Sequence, residues 1–293
     1  MANFREYSAR LASMSGMRRV TATMKMVAAS HLHRAQAELH LPDPFAAQLR
    51  AFLPLLRGEA FKSHRISQPP PERNSRVLLI VLSSNRGLCG AFNSSIIREV
   101  RRWTKEQRTV RGATIDALYA GQKGYTALRR EVSPCAKAFD VSTHPQVKET
   151  MSLAKQAFDA FVSGSIDEVW IAGNWFVNSM LSEPRVQRLL PHLDPLPEQK
   201  VQDPGEPAVP RLVEPNDGRM VEAITRQWVH LSVYRGLLNS VASEHAARVM
   251  AMENATVNLR RMEKELLLQR NRARQAAITN ELTEIVSGAE SLG

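Results

Sequence analysis

Ser83 to Asn93 reads SSNRGLCGAFN, a turn with glycines at positions 87 and 90 that follows an apolar run and opens a helix. In α/β proteins such a turn often holds a phosphate, because free backbone amides and the helix dipole converge there. This one matches neither the GxGxxG dinucleotide fingerprint nor the lysine-bearing phosphate loop, and no acid follows at the distance a ribose requires. Two readings stand at this point: a nucleotide-binding turn, or glycines that only permit a tight bend and close packing of helix on strand. His31, His33 and His40 share one helical stretch. His31 and His33 lie about 200° apart around a helix and cannot share a metal there. The Ser, His and acidic residues form no nucleophile elbow, catalytic loop or carboxylate pair. Cys89 and Cys135 have neither a CxxC partner nor a histidine at ligand spacing, against both a zinc site and a disulfide scaffold. The expectation is a chain with no catalytic residue, no cofactor and no metal.

Charge points to partners instead. The net charge is +10 over 293 residues, and between Arg76 and Arg130 eleven basic residues face three acids. Such a field draws acidic partners or stands as a solvated face. Nucleic acid is a poor match, since Leu237 to Ser287 carries mixed charge and no aromatic residue on which a base could stack. The longest apolar runs, such as Val77 to Leu82, fall far below the roughly 20 residues of a membrane span, and Met1 to Val20 has no apolar signal core.

The elements that must carry these residues are of two kinds. From Asn3, a cap with Glu6 in capping-box position, to Pro42 there is no proline, which predicts a long helix. Its seam positions Phe4, Tyr7, Leu11, Met14, Met17, Val20, Met24, Val27 and then His31 with Leu32 step by threes and fours, a coiled-coil seam with a stammer between Met14 and Val20. Leu237 to Ser287 holds neither Gly nor Pro. One sevenfold series runs Leu231, Leu238, His245, Met252, Leu259, Leu266, Ala273, and its companion runs Tyr234, Val241, Arg248, Ala255, Met262, Gln269, Ala276. A helix of that length needs a partner, and the first helix is the candidate, antiparallel. Between them strands at 76–83, 113–120 and 168–177 alternate with helices at 93–103 and 146–162, which predicts a mostly parallel sheet.

Four stretches then carry a resemblance: MKMVAAS leading to RAQ (Met24 to Gln36), NRGLCGAFN (Asn85 to Asn93), ASEHAARVMAMENAT (Ala242 to Thr256) and RARQAAITNELTEIVSGA (Arg272 to Ala289). Together, in this order and at these ends of the chain, they resemble the gamma subunit of F-type ATP synthases. The fold implied is α/β, a long antiparallel coiled coil of N- and C-terminal helices with an inserted Rossmann-like domain. The boundaries expected are 1–57 for the first coiled-coil helix, 58–75 for a linker, 76–190 for the α/β domain, 191–218 for a proline-rich loop and 219–288 for the last helix.

The resemblance implies a non-catalytic central-stalk rotor inside a ring of three alpha and three beta subunits. It also implies contact with an epsilon subunit and a c-ring, and a peripheral place on the cytoplasmic face of a bacterial inner membrane. Carried over residue by residue, Met24, Lys25, Arg274 and Gln275 match beta-subunit contacts, Glu214 matches the acid at the membrane end, and Ile278, Leu282, Ile285 and Val286 match the tip that turns in the sleeve. Asn85 stands where the family has Asp, Arg211 and Val213 stand where it has aromatics, and Ser15 to Met24 departs from its first-helix pattern. That departure implies a divergent branch, with an alternative, sodium-pumping ATPase entertained beside the main one. A nucleotide-binding α/β enzyme and a basic coiled-coil nucleic-acid binder are the rival readings.

Overall fold

The computed structural model describes residues 2–52, 64–191 and 217–290. The chain divides into two compact units, one of residues 1–30 with 248–293 and one of residues 31–247.

The first unit is built from helix α1 (Ala2–Glu38) and the last helix, α6 (Asp217–Glu290), whose other stretches belong to the second unit. The two run antiparallel here, since Arg18 meets Glu263, Thr21 meets Thr256 and Lys25 pairs with Glu253. The less exposed positions of α1 step Phe4, Tyr7, Leu11, Met14, Arg18, Thr21, Lys25, Ala28, an unbroken heptad. The expected stammer is absent. Met17, Val20, Met24 and Val27, taken for seam residues on their apolarity, point outward with 47%, 54%, 39% and 51% of their surface exposed. On α6 the series through Met252, Leu259, Leu266 and Ala273 lines the seam as expected, but its companion is Val249, Thr256, Glu263, Arg270 and Ala277. The companion expected at Ala255, Met262, Gln269 and Ala276 is one residue out of phase: Met262, Gln269 and Ala276 are exposed. Polar pairs fill the seam where apolar layers were expected, and their hydrogen bonds fix the register as an apolar layer could not.

The second unit holds a five-stranded sheet in the order β3-β2-β1-β4-β5, with β1 (Arg76–Leu82), β2 (Thr114–Ala120), β3 (Ser133–Pro134) and β4 (Glu168–Phe176) parallel and β5 (Ser182–Leu190) antiparallel to β4. The continuous apolar run of β1 follows from cover on both faces. Leu78, Ile80 and Leu82 pack with Leu153, Phe158 and Phe161 of α5 (Val147–Val162) and with Val229, Val233 and Leu237 of α6. Val77, Leu79 and Val81 pack with Ile96, Val100 and Trp103 of α3 (Phe92–Arg111) and with Leu128 of α4 (Gln122–Leu128). The first helix gives way after Glu38 to a turn and a separate α2 (Asp43–Phe52), where one element had been expected.

α6 begins at Asp217, two residues before the expected boundary, and passes straight through Gly236. A Cβ there would lie 2.8 Å from Ile171 Cδ1 and 3.2 Å from Leu82 Cδ1, so glycine serves the close crossing of α6 over β1 and β4. At the other end of the sheet, Glu168, with 0% of its surface exposed, receives Arg111 at 2.6 Å and the Trp170 indole N–H at 3.0 Å. Asp167 beside it takes Arg65 and Arg76, whose guanidiniums hold its carboxyl below the usual carboxylate range.

Candidate functional surfaces

The turn after β1 closes on itself. Asn93, in the first turn of α3, accepts the Ser84 backbone N–H at 3.1 Å and donates to Ser84 Oγ at 2.8 Å, while the Ser84 hydroxyl reaches the Arg86 carbonyl at 2.6 Å. Leu88 and Gly90 take positive φ, 61° and 55°, to make the bend. Across the neighbouring loop, Asn85 accepts from the Gln122 N–H and donates to Asp140 and to the Val141 carbonyl. Asn suits this position because it donates and accepts at once, which an ionised Asp could not do. Ser83 and Gly121 press together so closely that a Cβ on Gly121 would lie 2.2 Å from the Ser83 carbonyl oxygen. These polar side chains bond to one another and so hold the turn closed. Among the described residues no group of three or more His, Cys, Asp or Glu is placed to hold a metal ion.

The basic segment is partly neutralised within the chain. Arg76, Arg101, Arg102 and Arg111 are ion-paired with Asp167, Glu131, Glu99 and Glu168. On the outer side of α3, Arg98 and Lys105 stand exposed between them.

Of the residues carried over from the resemblance, Lys25 is turned into the seam, on Glu253, while Met24 beside it is outward. Met17, Val20, Met24 and Val27 recur at steps of three and four, so the residues withheld from the seam form an apolar stripe of their own on the helix surface. Apolar periodicity could not separate this stripe from the seam, and the signal that could was polar: Arg18, Thr21 and Lys25 recur at steps of three and four, and Thr256, Glu263 and Arg270 at steps of seven on the other helix. Lys25 beside it holds the Glu253 carboxyl below the usual carboxylate range, first through the side-chain hydrogen bond. A folded-state carboxyl lowered in this way adds stability at neutral pH and withdraws it as the medium becomes acid enough to protonate it. The Lys25→Met chain is expected to melt earlier than the wild type at pH 7, and the gap is expected to close near pH 3. Thermal melts followed by helical circular dichroism at the two pH values measure it.

Arg274 and Gln275 are exposed, as are Ile278, Leu282, Ile285 and Val286 at 47%, 57%, 67% and 57%. In the register set by Arg18, Thr21 and Lys25, α1 begins opposite about Ala276 and Ala277, so these four lie past its start. Ile278, Leu282 and Ile285 share one face, at spacings of four and three. Along another, the hydroxyls of Thr279, Thr283 and Ser287 each bond back to the carbonyl four residues earlier. Glu214, Arg211 and Val213 lie outside the described residues.

Comparison with known proteins places the chain in one family. The family model described as ATP synthase matches residues 3–292. The ATP synthase gamma chain of Chloroflexus aurantiacus is 32% identical over 298 aligned positions, covering 100% of this chain and 99% of its own. That of Geobacter metallireducens is 35% identical over 296 positions, again covering 100% of this chain and 99% of its own. Among solved structures, a chain of the Tetrahymena thermophila mitochondrial ATP synthase, central stalk and c-ring, is 27% identical with a TM-score of 0.59, covering 80% of this chain and 99% of that one. A chain of the Euglena gracilis mitochondrial enzyme, 17% identical with a TM-score of 0.68 and covering 99% and 95%, shares the fold. Matched from end to end by gamma chains and by the family's own model, the chain belongs to the ATP synthase gamma-chain family.

Proposed function

We propose that the chain is the asymmetric rotor shaft of a rotary ATP synthase, turning inside a ring of three alpha and three beta subunits and coupling ion flow in the membrane sector to ATP synthesis or hydrolysis. The observation that supports this best is the division of labour along the helix pair. Polar side chains lock the two helices to each other, while apolar ones, Met17, Val20, Met24 and Val27 on α1 and Ile278, Leu282, Ile285 and Val286 at the tip, are turned outward. Exposed apolar stripes call for cover, and a sleeve of other subunits is the cover that the gamma-chain family implies. Burial in such a sleeve is nondirectional and survives rotation, whereas ion pairs would favour one angle.

A shaft of two unlike helices has no threefold symmetry. Three identical catalytic sites around it therefore meet different faces at any instant, and differential contact is what can bias each between its states. Catalysis then belongs to the beta subunits. Met24 and Lys25, with Arg274 and Gln275, are the proposed beta contacts, and Glu214 the proposed membrane-end contact toward the c-ring and epsilon. The complex would sit peripherally on the cytoplasmic face of a bacterial inner membrane; among the described residues no helix is long and apolar enough to cross one.

Co-expression of this chain with the alpha and beta subunits tests the reading. A complex of three alpha, three beta and one copy of this chain, with hydrolysis dependent on its presence, is the expected product. A chain that remains alone while a ring forms without it overturns the assignment.

A further inference from the structure

The cations of α3 are gathered on one side of the helix. At about 100° per residue, Arg98, Arg101, Arg102, Lys105 and Arg108 fall within about 120° of arc, opposite the buried Phe92, Ile96, Val100 and Trp103. Glu99 and Glu106 stand on the flank, roughly a quarter turn from Arg98 and Lys105. Arg102 turns aside to Glu99, and Arg101 turns to the other flank, to Glu131. Along the crest Arg98 and Lys105 are exposed and have no ion pair among the described residues. Arg101 also donates to the Ala127 carbonyl and Arg108 to that of Glu131, which brings the exposed Arg129 and Arg130, at the end of α4, to the edge of the same face. Seven cations thus stand with three acids, Glu99, Glu106 and Glu131.

A field of this kind calls for an anionic partner, and the rest of the face says of which kind. Stable protein interfaces carry a core of aromatic and apolar anchors inside a polar rim, and lysine is scarce in that core. The outer side of α3 exposes no aromatic residue, and its single exposed large apolar residue, Val110, lies in the last turn and off the crest. Nothing there could anchor a folded partner or stack on a base. Acidic lipid headgroups need no such anchor. They move laterally to meet fixed cations, and the attraction reaches about one Debye length, roughly 8 Å, from the bilayer surface.

We infer that this face of α3 docks on an anionic bilayer surface, with Arg98 and Lys105 over the headgroups of acidic phospholipids and Arg101, Arg102, Arg108, Arg129 and Arg130 around them. The attraction is diffuse, so it holds the chain near the membrane without fixing its angle. It would add to the hold of the membrane sector, and it is measured on the purified full chain whether or not a ring assembles around the helix pair.

The test is flotation of the full chain with vesicles of one part phosphatidylglycerol to two of phosphatidylcholine, against vesicles of phosphatidylcholine alone, at about 0.1 M salt. Binding to the anionic vesicles only, weakening as salt is raised, is the expected result. Each cation near such a surface is worth about fivefold in partition, so Arg98→Glu combined with Lys105→Glu is expected to cut binding at least 25-fold. Lys264→Glu combined with Arg272→Glu changes the net charge equally on an exposed part of α6, and is expected to stay within about threefold of wild type. Absence of wild-type binding to the anionic vesicles overturns the inference, and that arm needs no variant to fold. Equal losses in the two double variants overturn it as well, because net charge and not this face would then do the binding. A reversal at Arg98 and Lys105 that spares vesicle binding but strips an acidic subunit from the assembled complex gives the face to a protein instead.

Discussion

A chain ended after Arg272 is expected to enter the complex and yet lose most of its coupling. In the antiparallel register the missing residues face only the first turn of α1, near Phe4. The seam from Tyr7 onward, with the Arg18–Glu263, Thr21–Thr256 and Lys25–Glu253 pairs, remains whole. What is removed is the apolar tip, together with Arg274 and Gln275. Each charge-assisted hydrogen bond contributes roughly 1.5–3 kcal/mol, so losing those of Arg274 alone costs about tenfold or more in the bias between catalytic states. The measurement is ATP-driven ion pumping in vesicles against the hydrolysis rate of the same preparation. Hydrolysis with pumping cut about tenfold is the expected result, and unchanged pumping removes both residues and tip from the mechanism. Arg274→Ala combined with Gln275→Ala, with the tip intact, separates directional contacts from bearing.

The second large effect lies in the sheet. Arg111→Met is expected to destabilise the second unit by about 3–5 kcal/mol, because it strands Glu168 as a charge with no exposed surface and only the Trp170 N–H for a partner. Arg111 also donates to the Pro71 and Glu72 carbonyls, tying the segment before β1 to the end of α3. For a unit of this size the loss corresponds to a melting point lower by about 10 °C. Urea unfolding of the full chain, read at the fluorescence of Trp103 and Trp170, checks it. Glu168→Gln combined with Arg111→Met should recover part of the loss, because the buried charge is then gone. A single variant within about 1 kcal/mol of wild type would mean that water reaches Glu168 from the side of the chain where Arg111 is itself partly exposed.

How far each element was legible follows from the kind of signal it carries. β1 was plain because seven consecutive residues are buried from both faces or paired at the end, and α5 and β4 were placed to within a residue or two. β5 was missed. Ser182–Leu190 carries Pro184 and alternating charge, which only an edge strand tolerates, and edges are set by what lies beside them. The start of α6 was placed within two residues, at 219 against Asp217, and the glycine inside it, Gly236, is explained only by the tertiary structure, since Ile171 and Leu82 cross there. Of the three histidines whose rings meet, His31 and His245 fell on the two expected seam series, while His144 joins them only through the topology.

The two helices divide the matter most clearly. The amino-acid sequence by itself determined that there are two long helices with heptad character, a strand, turn and helix at residues 76–111, and a set of blocks that belongs to one family. These are local or linear properties, written in spacing and residue type. Which face of α1 is seam and which is surface was decided only by the tertiary structure. Met17, Val20, Met24 and Val27 are as apolar as any core residue, but burial depends on what stands opposite, and opposite the other face stand Glu263, Thr256 and Glu253, ready for Arg18, Thr21 and Lys25. A seam is a property of a pair of helices, so one helix read alone shows its apolar positions without saying whether its own chain or another will cover them.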